Sequence, residues 1–359
     1  MILARESIDY RKAAQRRLIN ITEQVINMSK KRLIPAAVIV LLIVLYIGTS
    51  YYLKQKVVEQ INEFASSAGF SEKIRYEALS VSPITMGGTM KQVSLEEAGL
   101  EFKADELNFN VLSHKSRIRD LVIANGEQVI KVDEIDIKKY KLEDGIPKST
   151  IIDVTALRFP VDSPEIKSRI KADELVIDIQ LATEADFKKQ VYEYSKLNFM
   201  FRDLVDVKMN LTFSGVDIKS YAKFDAANPE ALQNNPEFAQ KVQQDLANLK
   251  LNSFIITMKD KGAADKLFLS PEEGDNSTLE ERKQQLAAEL DQDIAETESP
   301  FERKLAEDMK KALLENRKEV VITMMPKEPV SIQQVMLSNL MGAGMDELAE
   351  ITGLKYEFK

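Results

Sequence analysis

Carboxylates are the one reactive group that this chain repeats in a fixed setting. The stretch EFKADELNFN, Glu101 to Asn110, returns in outline from Ile130 to Ile137 and from Ile170 to Ile177, each time as apolar-Lys-apolar-Asp-Glu-apolar-x-apolar. Carboxylate oxygens bind hard cations, so Asp105, Glu106, Asp133, Glu134, Asp173 and Glu174 raise the question of a metal site. Adjacent carboxylates on a strand diverge, however, and no Gly-punctuated Asp/Asn loop accompanies them. The absence of cysteine excludes disulfides and Cys-type zinc sites. The single histidine, His114, lies in Ser113-His114-Lys115 and reads as an exposed turn residue. Gly-x-Ser-x-Gly and phosphate-loop patterns are missing. Met86-Gly87-Gly88 and Met341-Gly342-Ala343-Gly344 do not sit between strand and helix of a βαβ unit. The expectation is a protein that is not an enzyme, with no catalytic residue, no cofactor and no metal.

The repeats carry a second message, about the strands that hold them. Phe102 and Ala104 alternate on one face, but Leu107 and Phe109 resume the alternation one position out of phase. One extra residue at each Asp-Glu pair would restore a common face, which is a β-bulge that bends and twists the strand. The competing reading is a strand that crosses between layers and buries opposite faces at its two ends. Three bulges would curl a sheet into a trough lined by Phe102, Leu107, Phe109, Ile130, Ile135, Ile137, Ile170, Leu175 and Ile177. The spacing of the repeats, 28 and then 40 residues, is too uneven for a solenoid.

Around these repeats the pattern predicts strands at 74–81, 89–95, 100–111, 118–123, 129–137, 151–157, 168–181, 197–201, 206–213, 217–224 and 249–258. Clean alternation, as in Val207, Met209, Leu211 and Phe213, signals an antiparallel sheet with one wet face. Asn228-Pro229-Glu230 and Asn235-Pro236-Glu237 predict a helix over 229–249 with one break, and Ser277-x-x-Glu280 and Ser299-Pro300 open two charged helices at 278–298 and 300–316. A strand at 320–325, two short helices and a final strand at 354–358 should rejoin the sheet. Met324, Met325, Met336, Met341 and Met345 read as core filling.

The charge of −8 divides unevenly. Residues 1–32 hold eight Lys/Arg against three acids, a net +5, which leaves −13 on the rest. Between them Leu33 to Leu53 is free of charge over 21 positions, close to the ~20 apolar residues that cross a bilayer. Leu33, Pro35, Leu45, Tyr46, Tyr51 and Tyr52 mark this anchor, with Pro35 in its first turn and the tyrosines at the far interface. A cleaved signal peptide, with Gly48 and Ser50 as its small residues, is the competing reading. Lys30-Lys31-Arg32 places the head in the cytoplasm, preceded by an amphipathic stretch at 10–30. An acidic body repels phosphates, so nucleic acid is not expected as a partner.

These features imply an α+β protein: a single transmembrane helix followed by a curved, mainly antiparallel sheet with packed helices. The segments are a cytoplasmic head (1–32), the span (33–53), a sheet domain (54–269), a linker (270–277), and a charged helical pair with C-terminal strands and short helices (278–359). Over residues 33–215 the basic head, span and φ-K-A-D-E-L-x-φ strands resemble the AsmA-like and YdgA-like envelope proteins of Gram-negative bacteria. The resemblance implies a curved β-groove, a bacterial inner-membrane location with the main domain periplasmic, and a lipid or other apolar ligand or a part in envelope homeostasis. The alternative is a structural or assembly partner of a membrane protein complex, with protein partners in the envelope.

Overall fold

The computed structural model of the chain describes residues 54, 58–59, 74–97, 100–110, 112–126, 128–144, 146–223, 235–268, 277–340 and 344–359. Strands dominate: β1 (Ala78–Ser82), β2 (Gly87–Glu97), β3 (Leu100–Asn110), β4 (Lys115–Asn125), β5 (Gln128–Glu143), β6 (Ile146–Pro160), β7 (Glu174–Asp186), β8 (Val191–Phe201), β9 (Val205–Ser214), β10 (Lys250–Asp260), β11 (Glu319–Met324), β12 (Val330–Ser331) and β13 (Leu354–Phe358). Among the described residues they form one sheet in which β1 to β11 follow chain order, β13 comes next and β12 pairs with β10. The pairs are all antiparallel. Hairpin chemistry explains the meander. Met86, His114, Gly126, Asp144, Gln190 and Asp203, each at or just before a hairpin reversal, have φ between 51° and 61°, the left-handed geometry that lets a short turn reverse a twisted strand.

Among the described residues the α-helical elements are α1 (Pro164–Ile170), α2 (Pro236–Asn248), α3 (Leu279–Glu296), α4 (Pro300–Leu314), α5 (Ile332–Leu340) and α6 (Met345–Thr352). They pack chiefly on one another and on β12 and β13. The α+β expectation is therefore corrected to a mainly β class. Local capping signals were sound: Asn235 and Ser299 accept hydrogen bonds from Glu237 and Phe238, and from Glu302, at the starts of α2 and α4. Class depends on which elements form layers, and these helices form none across the sheet. Among the described residues no helix is long and apolar enough to cross a membrane. The span at 33–53, the head at 1–32 and all but the last residue of the 270–277 linker lie outside the described residues.

Three local expectations are also corrected. The strand expected at 168–181 is α1 followed by β7, because Ser163 caps a helix that opens with Pro164 and Lys171 ends it with φ 56°. The strand expected at 217–224 is a 3-10 helix, Ile218–Lys223. The capping box of α3 lies one residue on from the expected pair, with Thr278 and Glu281 bonding each other reciprocally at 2.6 and 3.2 Å.

The parity swap is real, and five strands share it. Apolar residues run Met90 then Val93 on β2, Ala104 then Leu107 on β3, Ile118 then Leu121 on β4, Val132 then Ile135 on β5, and Val154 then Leu157 on β6. Register is unchanged across the interruption: Lys91 pairs with Glu106 and Val93 with Ala104, while Lys103 pairs with Val122 and Glu106 with Arg119. Gln92, Asp105, Asp120, Asp133 and Ala156 thus fall on one line across the sheet. Each strand carries the extra residue at the same height, so neighbouring ladders stay aligned. On alternate strands the line holds a left-handed residue, Gln92 (φ 49°), Asp120 (51°) and Ala156 (52°).

The shift surfaces where the insertion stops. β7 alternates without interruption through Leu175, Ile177, Ile179 and Leu181, and the β6–β7 register slips between Val154 and Leu157. Because Ile179 faces Val154 and Ile177 faces Leu157, those two β6 residues lie on the same side although three positions apart. The layer-crossing reading is thereby excluded. Asp105, Glu106, Asp133 and Glu134 do sit at the line, but they cause no register shift of their own. Asp173 and Glu174 lie at the α1–β7 junction instead, so the third expected bulge is corrected to a helix-to-strand turn.

At this boundary Asp178 of β7 accepts the N–H of fully buried Ala156 through Oδ1 at 2.7 Å. Replacing Asp178 with alanine strands that donor, which costs about 1–3 kcal/mol. Urea denaturation should show a loss of this size for Asp178→Ala and a smaller one for Asp178→Asn, which keeps an acceptor oxygen.

Candidate apolar face

Cross-strand partners share a side of a sheet, so the registers can be followed from edge to edge. One row begins Leu79, Met90, Leu107, Ile118, Ile135 and Val154 on β1 to β6. It continues as Ile179, Phe199, Val207, Met258, Val320 and Phe358 on β7 to β11 and β13. Each of these twelve positions is apolar. The next row on the same face runs through Phe109, Ser116, Ile137, Ile152, Leu181, Leu197, Met209, Ile256, Ile322 and Tyr356, with one hydroxyl and one phenol among them. At its start Gly88 faces Phe109, and a Cβ there would meet the Phe109 ring at 2.5 Å and the Ser80 carbonyl at 2.8 Å. Glycine lets the aromatic ring lie over the backbone.

The opposite face is a lattice of cross-strand ion pairs. Arg119 bridges Glu106 and Glu134 at 3.3 Å each, Arg117 meets Asp136 at 3.1 Å, Arg158 meets Asp133 at 2.6 Å, and Lys138 pairs with Asp153. These side chains are 18–50 % exposed, so each pair adds only about 0–1 kcal/mol. Their effect is to hold charge on one side. The repeat carboxylates belong here: Asp105 accepts from Gln92 at 3.2 Å, and Glu106 from Asn108 and Arg119. Among the described residues no group of three or more His, Asp or Glu is placed to hold a metal ion.

Most of the expected groove residues come together. Phe102 and Ile130 both face Ile123; Leu107 and Ile135 both face Ile118; Phe109 and Ile137 both face Ser116; Leu175 and Ile177 follow on β7. Ile170 does not line the strand row. It ends α1 and packs with Val161 and Leu204 onto Leu175 and Phe201, closing one corner of the face.

Two further closures were not visible in the repeats. At the far end of β7 to β9, buried Tyr192 stacks on Phe213 (centroids 5.2 Å) and donates its hydroxyl to the Val216 carbonyl at 3.0 Å, while the Ile218 N–H donates back to it. The 3-10 segment is tied down by Lys219, which reaches Glu143 and Asp144 on the β5–β6 turn at 2.8 and 2.7 Å and sits over the Phe187 ring. At the C-terminal edge Phe301 and Tyr356 meet edge to face at 5.5 Å, and the Tyr356 hydroxyl donates to Asp308. Burial, then Asp308, pushes that phenol up to about 12. The signals for both closures were single aromatic residues, which periodicity assigns to a face but not to a partner. Away from these closures, on β3 to β5, Phe102, Leu107, Phe109, Ile118, Ile123, Ile130, Ile135 and Ile137 remain half-buried.

A protein-family model described as "Uncharacterized protein" matches residues 198–357, from β8 into β13 and less than half of the chain. A comparison with curated proteins gives no match.

Hydrogen bonds from Lys148 and then Lys219 hold the Glu143 carboxyl at about 2, below its ordinary 4.5. A depressed carboxylate contributes stability above its unfolded value and loses it as pH falls through the folded one. The tie between the β5–β6 turn and the 3-10 segment should therefore weaken from about pH 4.5 down to about 2. An NMR titration of the Glu143 side chain should give this low midpoint, and Lys219→Ala should move it upward.

Proposed function

We propose that this protein is a non-catalytic, membrane-anchored envelope protein that binds lipid or another apolar ligand on the open part of its apolar face. The observation that carries this reading is the apolar row crossing twelve strands, whose residues on β3 to β5 stay half-buried away from the three closures made by the chain itself. Strand spacing of about 4.8 Å puts Leu107 and Phe199 about 24 Å apart across β3 to β8, a length that an acyl chain could follow. The charge-free stretch at 33–53 after a basic head supports an inner-membrane anchor with the sheet on the periplasmic side. The resemblance of the repeats to AsmA-like proteins supports the same reading.

The test is lipid recovery from the purified full chain by extraction and mass spectrometry. Wild type should carry phospholipid, and Ile135→Lys, which places a charge at the centre of the row, should lose most of it while keeping its β-sheet circular dichroism. Lipid-free wild type, or equal recovery from both proteins, would overturn the proposal.

A second reading, an assembly partner in a membrane complex, is favoured by the α3–α4 hairpin. These helices pack on each other and leave Leu286, Met309 and Leu314 37–44 % exposed. Photocrosslinkers at those three positions should then capture a defined envelope protein in cells, and a blank result at all three rejects this reading.

A further inference from the structure

A groove of about 560 Å³ opens at the β1–β2 end of the sheet, lined mainly by polar-face residues and reached also by Val81, Gly88, Phe109 and Ser116. Two in-register rows make its floor. Ser82, Gly87, Asn110 and Lys115 form one, and Thr89, Asn108, Arg117 and Asp136 the other. The β1–β2 turn forms the wall and is fastened to the floor: Asn110 Nδ2 donates to the Thr85 carbonyl at 2.8 Å, and the Thr85 N–H donates to Ser82 Oγ at 3.3 Å. A Cβ at Gly87 would lie 3.0 Å from the Phe109 carbonyl and 3.4 Å from Asn110 Nδ2, so glycine relieves crowding between wall and floor.

The internal bonds of this groove consume acceptors and leave donors. Asn108 Oδ1 takes the Thr89 hydroxyl at 2.6 Å, and Asn110 Oδ1 takes both the N–H and the hydroxyl of Ser113. Asp136 is matched by Arg117 at 3.1 Å, and Glu134 lies 3.6 Å from Arg117 Nε, so two carboxylates fix the guanidinium and leave its other N–H groups. Left over are the ammonium of Lys115, the hydroxyls of Ser82 and Thr85, and further N–H groups of Arg117. Lys115 is exposed and has no ion-pair partner among the described residues. A cation beside a positioned guanidinium and hydroxyl donors complements a group that only accepts.

We propose that this groove binds a tetrahedral oxyanion of the phosphate type, either free or carried on a phosphoryl headgroup. Its charged and amide groups, Lys115, Arg117, Asn108 and Asn110, are on the face opposite the apolar rows, and the site stands whether or not those rows take lipid. Lys115 supplies the unmatched charge, Arg117 the oriented donors, and the Thr85 turn the rim.

Calorimetric titration of the full chain in detergent, at constant ionic strength, tests it with two probes: inorganic phosphate and glycerophosphocholine, the deacylated headgroup of a phospholipid. Saturable binding of either, weakened at least tenfold by Lys115→Met and retained by Lys115→Arg, is the expected result. Binding of phosphate alone assigns a free anion, and binding of the diester assigns a headgroup. Should Lys115→Met melt at a lower temperature than wild type, Thr85→Val replaces it and must also weaken binding. No binding of either probe to wild type, or binding unchanged by these substitutions, would overturn the proposal.

Discussion

A hydrogen-bonded ladder tolerates an extra residue only if the neighbouring strand makes room for it. That constraint organises this sheet. From β2 to β6 every strand carries the insertion at one height, and the ladder passes through without slipping. The slip is deferred to the β6–β7 boundary, where β7 lacks the extra residue and Asp178 satisfies the displaced N–H of Ala156. An inserted residue bends its strand and increases twist, and five strands carry one on the same line.

The second consequence is separation of charge. Because the insertion restores parity, apolar side chains above and below the line stay on one face, and carboxylates, lysines and arginines stay on the other. The polar side is neutralised by cross-strand pairs that contribute little stability one by one, yet they keep charge away from the apolar rows. The apolar side is closed at three places, by α1, by the 3-10 segment and by Phe301 of α4 on Tyr356, all packed on β7 or later strands, while the apolar residues of β3 to β5 stay half-buried beside them.

Much of this was legible before any tertiary contact was known. Alternation located strands β2, β3 and β9 within two residues, and the swap within EFKADELNFN pointed to an inserted residue. Proline and its preceding cap marked the starts of α2 and α4. The third copy of the repeat misled, because Ile170 to Ile177 matches the others in pattern while Ser163-Pro164 upstream starts a helix that consumes its first residue. The grouping of Asp105 with Glu106 as the bulging pair was also incomplete: the line includes Gln92, Asp120 and Ala156, which no repeat announces.

Short-range chemistry explains the division. Period, caps and turn residues depend on neighbours within about a turn or a strand length, so the sequence by itself determined that most strands exist, where α2 and α4 begin, and which residues of a strand share a face. It also determined the asymmetry of the termini, with a basic head and an acidic body on either side of a charge-free stretch. Only the tertiary structure decided that five strands align their insertions, that the helices stay at the margins, and that Tyr192, Lys219 and Tyr356 close parts of the apolar face. Those outcomes depend on pairing between residues tens of positions apart, and neither periodicity nor composition specifies which strand lies beside which.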